Sequence, residues 1–285
     1  GIKSKIIVAN PGIKSFNDII KNDLDVVLHN KNLLDFYISK NTNVNVHIKF
    51  NTGMNRYGFD VDEIEEMSEK IKNQKKLKVI SVCSHLSSAD NLSKSETTLN
   101  QIKLFEKISN KLEENLSCRL DKHILNSDGF LHFPKKMFDM VRLGITLFGS
   151  YKNENLLQVS KLKSVISQNR NIKKGAGVGY SSEFEAEKDM NISVVPVGYA
   201  DGLNRRFGDG KGNVLVNGVL CPIIGEICMD SFIINTTKVN CKEGDEVEIF
   251  GEGNSIIKLS EDLGTIPYEI YSTLNRRIKR VYIGN

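Results

Sequence analysis

Over the first 145 residues, short apolar runs alternate with longer segments in which apolar residues recur every three or four positions. Short apolar runs bounded by turn residues are typical of buried strands, and the longer period is typical of helices packed on them. The pattern predicts six strands, at 6–9, 25–28, 44–50, 77–83, 123–125 and 140–142. It predicts helices after Ser15, which we expect to act as a cap, and at 33–39, from about Asp60, at 97–116 and at 135–138. Strands that alternate with crossover helices indicate a parallel sheet, so we expect an incomplete (β/α) TIM-like barrel with about six of the eight strands.

The pattern changes after about residue 155 to short strands separated by turn signals such as Asn217-Gly218. It predicts strands at 192–197, 213–220, 223–224, 231–235 and 246–250, closed by a short helix and a basic strand near 276–283. Such spacing favours antiparallel pairing. We therefore predict two domains, a partial barrel at 1–155 and a mainly antiparallel β-domain at 156–285.

Composition indicates an ordinary soluble globular protein, with 40% hydrophobic and 26% charged residues and a net charge of +4. No apolar run approaches the ~20 residues of a membrane span. The five cysteines are odd in number and form no C-x-x-C pair, which favours a reducing, cytoplasmic location. No histidine has a cysteine at metal-ligand spacing, so we predict no metal site.

Reactive residue types follow four successive predicted strands: Lys49 and Arg56, then His85, then Ser127, then Arg142. The carboxyl ends of parallel barrel strands meet at one face, where such enzymes hold their active sites. Each residue alone has a simpler interpretation, as a strand end, a surface loop or a core histidine. Four in succession favour a site.

A glycine-rich segment at 175–179 precedes Tyr180. It lacks the spacing and the following helix of a dinucleotide-binding fingerprint. We interpret it as a turn before an exposed tyrosine.

Eight motifs resemble the alanine racemase family, pyridoxal-phosphate enzymes of fold type III with an α/β barrel and a carboxyl-terminal β-domain. They span nearly the whole chain in the family's order and are VHIKFNTGMNRYGF, SHLSSAD, LNSDG, VRLGITLFG, GVGYSSEF, VPVGYADGLNRRF, CPIIGEICMD and TIPYEIYSTLNRRIKRVY.

The resemblance implies a set of residues that bind pyridoxal 5'-phosphate. Arg142 would donate to the pyridine nitrogen and keep it unprotonated, because arginine does not release its own proton. His85 would stack near the cofactor and orient its neighbours. The phosphate would be bound by Ser127, the backbone at Gly144 and Ile145, and Tyr268.

The resemblance also implies substrate and catalytic residues. Arg56 would bind the substrate carboxylate or the cofactor's phenolic oxygen, beside Lys49, which is often carbamylated in the family. Tyr199 and Met229, the latter next to Asp230, would line the substrate entrance. Tyr180 would come from one subunit of a homodimer and exchange a proton with the substrate α-carbon in the barrel of the other.

Two departures from the family are visible. Asn51 stands where the family usually has Asp. The family's cofactor lysine lies in a segment ending in Ala-Tyr-Gly-His-Gly, and no segment of this sequence matches it. We therefore expect the chain to begin at the third barrel strand and, lacking that lysine and the base it provides, to have no racemase activity alone.

The function that the resemblance implies is interconversion of L- and D-alanine, for peptidoglycan precursors of the cell wall. Two alternatives stay open. The chain could be a truncated, non-catalytic homologue or dimer partner that lends Tyr180 and Met229 to a complete subunit. It could also be a racemase of another small amino acid such as serine, although Tyr268 leaves less room in the site than a small polar residue would.

Overall fold

The computed structural model describes residues 1–153 and 155–284. They form two compact units, Gly1–Gly144 and Ile145–Asn285. The domain boundary predicted at residue 155 stays a prediction.

The first unit contains a parallel sheet whose strands are neighbours in chain order. Its strands are β1 (Ile7–Val8), β2 (Asp25–Leu28), β3 (Val44–Lys49), β4 (Leu77–Cys83) and β5 (Asp121–His123). Its helices are α1 (Phe16–Lys21), α2 (Lys31–Lys40), α3 (Ile64–Lys72), α4 (Ser95–Leu116) and α5 (Ser127–His132). A parallel sheet with crossover helices confirms the predicted partial barrel.

The prediction of a sixth strand at 140–142 is wrong, because the structure describes these residues and they form no strand. In this segment the Arg142 N–H donates to the Leu125 carbonyl at 3.0 Å. It does not form a ladder because Met140 bonds back to the Lys122 carbonyl, three residues before Leu125. The segment therefore follows the end of β5 through single hydrogen bonds.

Side chains stabilise some helix starts in this unit and not others. Ahead of α3, the Asp60 N–H donates to Glu63 Oε2 at 2.7 Å, while the Glu63 N–H donates to the Asp60 carbonyl at 3.1 Å. Ser15 makes no side-chain cap, so its predicted role is wrong. A 3₁₀ turn, Ile13–Ser15, leads into α1 instead, with the Ser15 N–H bonded to the Gly12 carbonyl.

The core of the first unit lies between the sheet and its helices. Val46, Ile48 and Phe50 of the third strand segment are fully buried, as are Phe105 and Leu112 of α4. Both faces of a parallel sheet covered by helices need such continuous apolar positions. Polar side chains are thereby left to the strand ends and to a few internal contacts.

The strands of the second unit are β6 (Leu162–Val165), β7 (Gln168–Ile172), β8 (Gly177–Val178), β9 (Phe184–Glu185), β10 (Met190–Val195), β11 (Asn213–Val216), β12 (Val219–Ile224), β13 (Phe232–Asn235) and β14 (Glu246–Phe250). Seven of them form an antiparallel sheet in the order β6-β14-β11-β12-β13-β10-β7, and β8 and β9 form a separate hairpin. The helices of this unit are α6 (Ile256–Leu263) and α7 (Pro267–Thr273). The predicted antiparallel β-domain is confirmed.

The turn signal at Asn217-Gly218 is confirmed, because Asn217 (φ 47°) and Gly218 (φ 80°) reverse the chain and divide the segment predicted at 213–220 into β11 and β12. One element prediction in the second unit is wrong. The basic strand expected near 276–283 does not form. Arg280 bonds the carbonyls of Leu274, Asn275 and Ile278, which holds this segment in local turns.

Among the described residues, no helix combines the length and the apolar character required to cross a bilayer.

Candidate active site

The loop after β3 carries Arg56 and folds back on the strand that bears Lys49. The Phe59 N–H donates to the Lys49 carbonyl at 2.8 Å, and the Asn51 N–H donates to the Phe59 carbonyl at 2.9 Å. Gly58 has φ +136°, and a Cβ there would lie 2.4 Å from the Phe50 carbonyl carbon. Only glycine allows this close return. The loop is therefore anchored at the carboxyl end of the sheet.

The side chain of Asn51 organises the same loop from inside. Its Oδ1 accepts the N–H groups of Gly53 and Asn55 at 3.1 and 3.0 Å, as a carboxylate would. Its Nδ2 donates to Asn55 Oδ1 at 2.9 Å and to Asp60 Oδ1 at 3.2 Å, which a carboxylate cannot do. The departure from the family's Asp thus replaces a charge by two donated hydrogen bonds.

Among the described residues, neither Lys49 nor Arg56 pairs with a carboxylate, and no acidic side chain lines the cleft that contains them. Burial lowers the pKa of Lys49, and repulsion by Arg142 and Arg56 lowers it further, against an opposing effect of Cys83. The Lys49 ammonium lies 5.9 Å from the centre of the Tyr57 ring. Together with His85 these residues line the cleft, which is narrow and has no room for a water molecule.

Arg142 is the centre of the hydrogen bonding at the ends of β4 and β5. Its Nη1 donates to His123 Nδ1 at 2.5 Å and to the His123 carbonyl at 3.2 Å. Its Nη2 donates to the Ser84 carbonyl at 2.5 Å and to His85 Nδ1 at 3.2 Å. Two histidine rings and a strand carbonyl therefore fix the plane of the guanidinium. Burial lowers the pKa of Arg142.

His85 lies among cations. Burial, followed by the charges of Arg142, Lys49 and Arg56, lowers the pKa of His85 to about 4. Its Nδ1 faces a guanidinium that can only donate, so the ring is neutral and carries its hydrogen on Nε2. A neutral, oriented imidazole is suited to contact an aromatic cofactor without adding charge.

Gln101 and His123 are two supporting residues that sequence reasoning missed. Gln101, buried on α4, accepts the Ser87 N–H at 3.0 Å and donates to the His85 carbonyl at 3.3 Å. His123 was predicted only as part of a strand. A polar side chain at an inward position of an apolar element was the available signal for both.

Ser127 begins the short helix α5, capped by Asn126, whose side chain accepts the Gly129 N–H at 2.9 Å. The Ser127 hydroxyl accepts the Gly144 N–H at 2.9 Å. Two predicted phosphate-binding groups of the first unit are therefore in direct contact.

The other two predicted phosphate-binding groups belong to the second unit and also bond to each other. Tyr268 lies on α7, and its hydroxyl accepts the Ile145 N–H at 2.6 Å. Each pair joins a side-chain hydroxyl with a backbone N–H, the donor types that bind anions at loops and helix starts.

Tyr180 lies in a strained, exposed turn of the second unit. Its side chain is 67% exposed. Gly179, Ser181 and Ser182 all have positive φ, at 76°, 57° and 50°. Consecutive left-handed residues that are not glycine are uncommon and cluster at functional sites. The turn presents the phenol outwards from its own unit.

Tyr199 and Met229 are brought together by backbone contacts. The Tyr199 N–H donates to the Cys228 carbonyl at 3.1 Å, and the Ala200 N–H to the Met229 carbonyl at 2.9 Å. At Gly198 a Cβ would lie 2.3 Å from the Met229 oxygen, so only glycine allows this approach. Both side chains are exposed beside each other's backbone.

Comparisons with known proteins agree with the geometry. The family model of the alanine racemase N-terminal domain matches residues 1–152, and that of the C-terminal domain matches residues 159–282. The alanine racemase of Fusobacterium nucleatum is 36% identical over 99% of this chain and 80% of its own length. That of Clostridium tetani is 34% identical over 89% of this chain and 68% of its own.

Solved structures extend the likeness to three dimensions. Alanine racemase of Clostridium difficile 630 superposes with a TM-score of 0.90 at 30% identity, covering 99% of this chain and 77% of that one. Alanine racemase of Bartonella henselae, solved with covalently bound pyridoxal phosphate, gives 0.86 at 29% identity, covering 98% and 79%. The chain belongs to the alanine racemase family of pyridoxal-phosphate-dependent isomerases.

Proposed function

We propose that Arg142, His85, Lys49 and Arg56 form the part of an alanine racemase site that binds the cofactor ring and the substrate carboxylate. One observation carries the proposal. Three cationic side chains act together on His85, and Lys49 and Arg56 have no carboxylate partner among the described residues. An uncompensated positive cluster favours an anionic ligand.

The donor chemistry fits pyridoxal 5'-phosphate at both of its polar ends. Arg142 is a permanent donor held in one plane, which suits an unprotonated ring nitrogen. For the phosphate the proposal assigns the hydroxyls of Ser127 and Tyr268 and the backbone at Gly144 and Ile145. A covalent attachment is not assigned, because no segment of the sequence matches the family's cofactor-lysine segment.

The bound cofactor supplies a ring that withdraws electron density from the α-carbon of alanine, so that its proton can be removed. Arg142 limits that withdrawal, because it donates to the ring nitrogen without protonating it. His85, neutral and bonded to Arg142, orients the face of the site. Arg56, with Lys49 beside it, binds the alanine carboxylate through charge-assisted hydrogen bonds.

Tyr180 is proposed to give and take the α-proton in the site of a neighbouring subunit of a homodimer. Its exposed phenol and its strained turn support a role directed away from its own unit. Met229 and Tyr199 would line the entrance to the same site. Two bases on opposite faces are needed to invert a stereocentre, so Tyr180 would serve one face only.

Subunit mixing tests the shared site. The assay measures D-alanine formed from L-alanine by a protein that carries residues 1–285 together with a cofactor-binding lysine. Tyr180→Phe and Arg142→Met should each abolish turnover. Equal mixing of the two variants should restore about one quarter of it, because about half of the dimers are then mixed and each mixed twofold dimer has one intact site of its two. Full activity of Tyr180→Phe alone would contradict the role of Tyr180. Failure of the mixture, with each variant inactive, would contradict the sharing.

A second candidate is a non-catalytic dimer partner, favoured by the absence of a match to the lysine segment within residues 1–285. In that case the 285-residue chain is inactive alone but restores activity to a complete subunit mutated at its own equivalent tyrosine. No rescue in the mixture would count against this candidate.

We further propose a cytoplasmic location and a role in supplying D-alanine for cell-wall peptidoglycan. The five cysteines are unpaired, which is typical of a reducing compartment.

A further inference from the structure

A chain of buried side chains runs from Arg142 through the parallel sheet. Arg142 Nη1 lies 2.5 Å from His123 Nδ1, and His123 Nε2 lies 3.0 Å from Ser81 Oγ. Ser81 Oγ in turn lies 2.5 Å from His47 Nδ1. Ser81, His47 and His123 are on the neighbouring strands β4, β3 and β5, and all three are at most 2% exposed. We call Arg142, His123, Ser81, His47 and Asp25 the relay.

Asp25 lies at the far end of the relay, at the start of β2. Its Oδ2 is 3.6 Å from His47 Nε2, which has no hydrogen-bond partner among the described residues. Its Oδ1 accepts from Asn45 Nδ2 at 3.0 Å, and the Lys5 ammonium lies 3.9 Å away. The carboxylate is therefore held facing the His47 N–H.

The hydrogen-bonding capacity of the two ends of the relay determines which atom carries each hydrogen within it. A guanidinium can only donate, so His123 Nδ1 accepts and its hydrogen is on Nε2. His123 Nε2 then donates to Ser81, whose own hydrogen is directed to His47 Nδ1. His47 consequently carries its hydrogen on Nε2, towards a carboxylate that can only accept. The three hydrogen bonds from Arg142 to His47 therefore point the same way, and the His47 Nε2–H faces the Asp25 carboxylate at 3.6 Å.

We propose that Asp25, His47 and Ser81 are positioning residues that act through His123 to hold the Arg142 guanidinium in one orientation. The proposal concerns the orientation of Arg142 itself; only the identity of the group to which Arg142 donates rests on the proposed function. A hydrogen-bonded series polarises along its length, so removing a distant member loosens the arginine as well as its own neighbours.

The charges around the relay agree with neutral histidines. Burial lowers the pKa of His123 to about 3, with further lowering by Arg142 and His47. Burial also lowers the pKa of His47, against the charges of Asp25 and Asp121. A protonated His123 would place an N–H against the Arg142 guanidinium and break the contact at its first step.

Nitrogen-15 NMR of the 285-residue chain tests the proton arrangement without any variant. At pH 7 both His47 and His123 should be neutral and carry hydrogen on Nε2. An Nδ1–H tautomer or a charged ring at either position would overturn the proposal.

Substitution of Ser81 tests the positioning role. In Ser81→Ala, exchange and rotation of the Arg142 Nη groups should speed up by about threefold to tenfold, the range expected when one hydrogen bond's support is lost. The matched control is Ser109→Ala, which removes an equally buried hydroxyl bonded to the Phe105 carbonyl on α4. It should leave the Arg142 signals unchanged.

The outcomes separate this proposal from the proposed function. Unchanged Arg142 dynamics in folded Ser81→Ala, or equal changes in both variants, would overturn the positioning role. If Ser81→Ala does not fold, Asp25→Ala is used instead, and it should shift the His47 Nε2 and Arg142 Nη signals together. These signals report on Arg142 with no cofactor present. They therefore test the positioning role whether or not the chain takes part in racemisation.

Discussion

Arg142 and His123 are joined by a hydrogen bond of 2.5 Å between Nη1 and Nδ1 at the end of the parallel sheet. Since the arginine cannot accept, this contact exists only while His123 is neutral. His85 makes the same kind of contact at 3.2 Å through its own Nδ1. The orientation of the arginine and the charge of both histidines are therefore a single property of the site.

Acid should destabilise the first unit through these two histidines. Their pKa values are lowered to about 3 for His123 and about 4 for His85, from about 6.5 in the unfolded chain. Between pH 6.5 and about 4 the unfolded chain binds protons that the folded chain does not. The free energy of unfolding should fall on acidification by up to about 1.4 kcal/mol per pH unit for each histidine, and their contribution should be flat above pH 6.5.

Urea denaturation at pH 7.5, 6.0 and 5.0 measures this dependence, with His123→Asn as the comparison. The variant should be less stable than the unsubstituted protein at pH 7.5. On acidification its free energy of unfolding should fall by less, and the difference should equal the contribution of one histidine. Parallel pH profiles for the two proteins would show that His123 is not buried in its neutral form.

Arg142→Lys should destabilise the protein although it keeps the charge. A single ammonium cannot reach the Ser84 carbonyl and both histidine rings. Each buried acceptor left without a donor lowers the free energy of unfolding by about 1–3 kcal/mol. Chemical denaturation should show a loss of about 2–4 kcal/mol. Arg119→Lys is the control, since Arg119 is exposed and pairs with Asp139 at the surface. Its change should stay within about 0.5 kcal/mol, and an equal effect of both substitutions would contradict the network.

Gly198→Ala should disrupt the contact that holds Tyr199 beside Met229. The added Cβ would lie 2.3–2.4 Å from the carbonyl oxygens of Met229 and Cys228, so the backbone has to move. A loss of about 1–3 kcal/mol or more is expected in thermal or chemical denaturation. Gly284→Ala meets no atom within 4 Å and should be neutral. A neutral Gly198→Ala would mean that the two segments do not pack closely.

Ser181→Gly should stabilise the second unit while loosening the turn that presents Tyr180. Serine at φ 57° carries a steric cost of about 1 kcal/mol that glycine does not, although glycine loses more backbone entropy on folding. The net change in unfolding free energy should be between zero and about +1 kcal/mol. Gly179→Ala, at φ 76°, is the opposite test and should destabilise by about 1 kcal/mol. The same sign for both substitutions would argue against strain in this turn.

Sequence reasoning predicted the elements whose cause is local. The strand predicted at 77–83 and the helical segment predicted from about Asp60 both formed where expected. It failed where distant contacts decide, as at 140–142, where the chain bonds to Lys122 and Leu125 one residue at a time. Arg280 likewise turns a strand-like segment into local turns.

The same division applies to the site. Family motifs placed Lys49, Arg56, His85 and Arg142 at strand ends, and the structure brings these four residues of the first unit together. Ser81 and Asp25 lie in none of the eight motifs, and His47 lies in one that suggested no role for it. Their relation depends on the register of three neighbouring strands, in which His47 pairs with Ser81 and Ser81 with Asp121. Such register is a tertiary property that apolar periodicity alone does not specify.

The most direct measurement is a calorimetric titration of the 285-residue chain with pyridoxine 5'-phosphate. This compound keeps the ring nitrogen and the phosphate but has no aldehyde, so it cannot attach to a lysine. We predict saturable binding that weakens about tenfold or more in Arg142→Met, because a charge-assisted hydrogen bond is lost, and is unchanged in Arg119→Met. Absence of saturable binding to the folded chain, or equal affinity of the chain and its Arg142→Met variant, would contradict a cofactor site centred on Arg142.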